Sequence, residues 1–60
     1  MTSENLAAWQ KQMSYTYESA AKALGISRAT YGRYLKDGAP LYIGLACAAL
    51  TARLAPWAAK

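Results

Sequence analysis

Between two runs of good helix formers the chain reads Leu24-Gly25-Ile26-Ser27. A glycine one residue past the last apolar position of a helix is suited to the left-handed stop, and Ile26 can fold back as the apolar contact that accompanies such a stop. Ser27 is a good N-cap for whatever follows. Two helices joined by so little chain must cross at a steep angle, the arrangement of a helix-turn-helix pair. Ala20 and Ala21 agree with this, because small side chains let the two helices approach closely.

The apolar spacing on either side extends the reading to the whole chain. Leu6, Trp9 and Met13 recur at i, i+3 and i+7, which predicts a first helix over about 3–13, with Glu4 in the first turn where the helix dipole favours an acid. A second helix is predicted over 17–24, with Thr16 as N-cap and Glu18 in its first turn. The third covers about 27–36 and is closed by Asp37-Gly38. The fourth covers about 40–54, opened by Pro40 at its first position and ended by Pro56. No segment alternates with a period of two, so no sheet is expected. The fold class is all-α: four compact helices, or five if a short C-terminal turn is counted.

Composition narrows the possible chemistry. Sixty residues make one domain near the lower limit for folding without a metal or disulfide. The single cysteine, Cys47, rules out an intrachain disulfide; in "LACAAL" it reads as a small buried thiol, and a reduced, cytoplasmic setting is expected. The polar start "MTSENLAAWQKQ" does not resemble a secretory leader. The longest uncharged stretch is fifteen residues, 38–52, against the roughly 20 that a membrane span needs. With no histidine, one cysteine and only Glu4, Glu18 and Asp37 as acids, no acid–base or nucleophile–base pair is suggested. No enzyme activity, metal, cofactor or small-molecule ligand is therefore expected.

Charge placement says more than the net +4. Lys22, Arg28, Arg33 and Lys36 put four of the seven cations within fifteen residues. At ~100° per residue, Tyr31, Tyr34 and Leu35 form a core stripe on the third helix, and Arg28, Ala29, Gly32, Arg33 and Lys36 fall within an opposite arc of roughly 140°. That outward face is basic and short-chained, where an ordinary solvated face would carry mixed Glu and Lys pairs. Gly32 inside a helix costs about 1 kcal/mol relative to alanine. Close approach to a large surface such as a DNA major groove would offset that cost.

The run "YESAAKALGISRATYGRYLK", 17–36, resembles the twenty-residue helix-turn-helix of Cro/repressor-type (XRE-like) phage and bacterial regulators. Ala21, Gly25 and the apolar Ala20, Leu24 and Ile26 match the family pattern, while Tyr31 and Tyr34 stand where it carries an aliphatic and an apolar residue. The following "KDGAPLYIGLACAAL" and "LAPW" are similar to the family's next loop, helix and tail. The resemblance implies a lambda-repressor-like domain in which Ser27, Arg28, Ala29, Gly32 and Arg33 meet base edges of double-stranded DNA. It also implies that Thr16, Tyr17, Lys36, Gly38 and Tyr42 hold phosphates. The fourth helix is apolar almost all round, so Leu50, Leu54 and Trp57 are expected to form a two-fold homodimer. The expected function is a transcriptional repressor on an inverted-repeat operator, with small anti-CRISPR-associated regulators as one group of comparable size. The alternative is a protein-interaction module, adaptor or antitoxin-like, that keeps the fold without reading DNA.

Overall fold

The computed structural model describes residues 1–59, which form four helices: α1 (Ser3–Gln12), α2 (Tyr17–Leu24), α3 (Arg28–Asp37) and α4 (Leu41–Thr51). Each opens from a residue in extended conformation, namely Thr2, Thr16, Ser27 and Pro40. The three hydroxyl residues each accept a hydrogen bond from the amide three residues on. At Thr16 the exchange is reciprocal, because the Ser19 hydroxyl accepts from the Thr16 amide at 2.8 Å. Such caps satisfy amides that the helix itself leaves unpaired. Pro40 has no capping side chain. It precedes α4 as N-cap, where the sequence reading put it inside the helix.

Three of the helices stop by one device. Tyr15 donates to the Gln10 carbonyl, Ile26 to Ala21 and Leu54 to Ala49, each at 2.9–3.1 Å, while the residue before each donor bonds the carbonyl three back. The residues at the bend are Ser14, Gly25 and Arg53, with φ of 58°, 71° and 58°. This is the Schellman closure, for which glycine is favoured and other residues are strained. It explains why α4 ends at Thr51 and not near 54: Arg53, three residues before Pro56, adopts the left-handed conformation and turns the chain out of the helix. Leu54 and Trp57 therefore lie beyond the helix, and Trp57 is 90% exposed rather than folded back on the core.

Packing follows the short connections. α3 lies against both α1 and α2, and α2 also packs on α4. The buried core takes Leu6 and Trp9 from α1, Ala20 and Ala21 from α2, Tyr31 from α3, and Ile43 and Cys47 from α4. Burial pushes the Cys47 thiol pKa up, so it stays protonated. Polar atoms at the rim of the core are paired: Trp9 Nε1 donates to Thr51 Oγ1 at 3.2 Å, and Thr51 Oγ1 donates to the Cys47 carbonyl at 2.8 Å. Met1 closes the far side. Its ammonium donates to the Ala39 carbonyl at 3.1 Å, and the Ala39 amide donates back to the Met1 carbonyl at 2.9 Å. Gly38 lies beneath this clasp at φ 97°, where a Cβ would also press to 3.2 Å from the Met1 oxygen. No helix among the described residues is long and apolar enough to cross a membrane.

Tyr31 is fully buried, yet its hydroxyl donates to Gln10 Oε1 at 2.7 Å. Burial, with smaller contributions from Cys47 and Tyr17, raises its pKa to about 12. A tyrosine that holds its proton more tightly when folded contributes stability that is complete below the unfolded pKa of about 10 and is lost as pH rises toward 12. Tyr31→Phe should lower stability at neutral pH by about 1 kcal/mol, from the lost hydrogen bond. The gap between wild type and variant should then change between pH 10 and 12 as only the wild type loses this contribution, which urea denaturation across that range would measure.

Candidate nucleic-acid interface

The candidate surface is assembled from the start of α2 and the outward side of α3. Helix α2 places Tyr17 at its first position, and the three-residue passage from Gly25 to Ser27 returns the chain so that Arg28 begins α3 close by. Tyr17 then crosses the gap. Its hydroxyl donates to the Arg28 carbonyl at 3.1 Å, and its ring meets Tyr31 edge-on with centroids 5.3 Å apart and planes at 90°. The Arg28 guanidinium lies over the same ring, 5.7 Å from its centroid. A cation over an aromatic face is attracted by the ring quadrupole. Tyr17, Arg28 and Ala29 together line an open recess of about 330 Å³.

Gly32 owes its identity to this crossing. A Cβ there would collide with the Tyr17 hydroxyl and lie 3.3 Å from the ring carbon that bears it. The position is half-buried beneath Tyr17, not an open gap in the outward face. The sequence reading took Gly32 for a thinning of that face toward a ligand, but the space a side chain would occupy belongs to a neighbouring helix.

Of the other sequence-predicted residues, Ser27, Arg28, Ala29, Arg33 and Lys36 are exposed. The Ser27 hydroxyl is already engaged with Thr30, accepting from its amide at 3.1 Å and donating to its Oγ1 at 2.9 Å. Thr16 is exposed and its hydroxyl sits in the α2 cap. The Gly38 amide donates to the Tyr34 carbonyl at 2.9 Å and the Ala39 amide to Met1, so neither N–H of that turn is free for a phosphate. Tyr17 likewise has its one hydroxyl proton committed to Arg28.

A second aromatic pair lies at the α3–α4 junction. Arg33 is positioned over the Tyr34 ring, 5.9 Å from its centroid, and the Tyr34 and Tyr42 hydroxyls are 3.3 Å apart. That hydrogen bond, followed by the electrostatic effect of Tyr34, raises the pKa of Tyr42, so the exposed hydroxyl keeps its proton. The sequence reading assigned Tyr34 to the core stripe, and it packs half-buried against the core. Its position opposite Tyr42 depends on how α4 turns away after Pro40, which helical periodicity does not specify.

The face predicted for self-association is divided. Leu50 is half-buried and lines an apolar groove of about 250 Å³ with Leu24, Ala46, Leu54 and Pro56 among others, and Leu54 and Trp57 are exposed on the tail. Leu41, Tyr42 and Leu45, which the interface reading left out, are also exposed. Among the described residues, no three His, Cys, Asp or Glu side chains gather into a group that could hold a metal ion. Comparison with protein-family models, with curated proteins and with solved structures gives no match for this chain.

The Tyr17–Gly32 contact makes a signed prediction. In a Tyr17→Ala background, Gly32→Ala should stabilise by about 1 kcal/mol, the ordinary helix-propensity gain. In the wild-type background the same change must displace Tyr17, and the gain should vanish or reverse. A double-mutant cycle by thermal and urea denaturation measures this coupling.

Proposed function

We propose that the chain is a lambda-repressor-like helix-turn-helix domain that binds duplex DNA, with α3 entering the major groove and α2 lying across the backbone. The single observation that carries this reading is the outward side of α3, where Arg28 and Arg33 are each held over a tyrosine ring beside exposed Ala29 and Lys36. Arginine laid on an aromatic surface keeps its forked donors facing solvent, and that fork fits the two acceptors on the major-groove edge of guanine. Ser27, Arg28, Ala29 and Arg33 are the residues proposed to face base edges. Lys36 and Tyr42 are proposed for phosphates, together with the first-turn amides of α2 above the Thr16 cap.

Three residues take supporting roles within this proposal. Tyr17 supports Arg28 instead of donating to a phosphate, Gly32 accommodates Tyr17 instead of a base, and Gly38 serves the turn. The exposed Leu54 and Trp57, beside the groove that Leu50 lines, support pairing of two copies across a two-fold axis. Paired domains would set their α3 helices in successive major grooves about 34 Å apart, on an inverted repeat. A dimer seated over a promoter would repress by excluding polymerase, with the cytoplasm as its setting.

The test is selection of bound sites from random duplex DNA, followed by titration across salt concentrations. The wild type should enrich one inverted repeat, with affinity falling as salt rises. Arg28→Ala combined with Arg33→Ala should weaken binding to that site at least tenfold, as loss of forked base contacts predicts. Equal binding by the double variant would reject the assignment of the α3 face. A salt-independent, unselective protein would favour the protein-interaction module instead. Sedimentation at micromolar concentration should give a dimer, and a monomer with no inverted repeat selected would reject self-association.

A further inference from the structure

We infer that the recess bounded by Tyr17, Arg28 and Ala29 reads a base-pair step made of one guanine and one adjacent thymine. This inference rests on the proposal that the α3 face binds duplex DNA, and it states which bases the start of that helix selects.

Tyr17 is fixed from two directions, by its hydroxyl on the Arg28 carbonyl at 3.1 Å and by its edge contact with Tyr31 at 5.3 Å. Its ring supports the Arg28 guanidinium, 5.7 Å from the centroid. Arginine offers only donors. Guanine presents two acceptors, N7 and O6, on its major-groove edge; adenine pairs an acceptor with a donor, cytosine presents a donor, and thymine presents one acceptor. Two-point pairing with Arg28 therefore selects guanine.

Ala29 is exposed beside it and carries nothing but a methyl group. The apolar feature in the major groove that such a group can match is the C5-methyl of thymine. A G·C pair has no C5-methyl, so the Arg28 and Ala29 contacts must fall on different base pairs. Consecutive Cα atoms lie ~3.8 Å apart, close to the ~3.4 Å spacing of stacked base pairs, so the two contacts are assigned to neighbouring pairs. The shallow, open depression that Tyr17, Arg28 and Ala29 line, about 330 Å³, leaves the surface beside both side chains unobstructed for a base edge.

The experiment alters the DNA, so protein folding is not in question. The site recovered by selection is synthesised with deoxyuridine for thymine, which removes only the methyl group, and separately with 7-deazaguanine for guanine, which removes only N7. Wild-type affinity should fall about fourfold with deoxyuridine, the equivalent of one buried methyl group. It should fall roughly tenfold with 7-deazaguanine, as half of a forked contact. The deoxyuridine effect should disappear in Ala29→Gly and the 7-deazaguanine effect in Arg28→Ala, each variant checked for wild-type circular dichroism. A selected site without adjacent guanine and thymine overturns the inference while leaving the DNA-binding proposal intact. So does unchanged affinity for both modified duplexes. An Arg28→Ala loss that is the same on every sequence also overturns it, because Arg28 would then be a phosphate contact. Failure to enrich any duplex overturns both the inference and the proposal beneath it.

Discussion

A buried tyrosine at the centre of α3 organises this small protein. Tyr31 has no solvent exposure, bonds to Gln10 of α1 through its hydroxyl, and receives the ring of Tyr17 from α2 against its face or edge. A leucine there could fill volume but could not tie α1 to α3 by a polar bond inside the core. The hydrogen bond is needed once the ring is buried, since an unpaired hydroxyl in that setting is costly. Three helices are thereby registered on one side chain. With only seven buried core residues among those described, this polar tie supplements the limited apolar burial available to a chain of this length.

The position of the candidate surface follows from that centre. Tyr31 meets Tyr17, Tyr17 carries Arg28 and fills the space that a side chain at residue 32 would take, and Arg33 takes a parallel position on Tyr34 midway along the helix. Each exposed arginine of α3 thus lies on an aromatic ring supplied by the fold. On the DNA-binding reading, the same packing that holds the helices together also aims the groups that would meet the ligand.

Much of this could be read from local pattern. Gly25 and Ser27 announce the stop and restart between α2 and α3, Thr16 announces α2, and the i, i+3 spacing of Leu6 and Trp9 marks the inner face of α1. What stayed hidden depends on residues distant in sequence or on backbone states that carry no compositional mark. Arg53 takes a left-handed conformation that glycine usually announces, so the end of α4 passes unseen. Gly32 invites a functional explanation until the Tyr17 hydroxyl, fifteen positions earlier, is found above it. The Gly38 amide looks free in the sequence, but the last turn of α3 takes it.

The Tyr17 crossing has a consequence for association as well as for stability. A lone arginine at a helix start samples many rotamers, and ordering such a side chain on binding costs about 0.5–1.5 kcal/mol. Arg28 lies over a ring that is itself bonded to the Arg28 backbone, which favours one placement of the guanidinium before any binding. The Tyr17 hydroxyl occupies the space that a side chain at residue 32 would take, so the two helices sit closer there than a larger residue would allow. On the DNA-binding reading, the pair would meet the duplex with part of that ordering already done, and the entropy would be charged to folding instead of recognition.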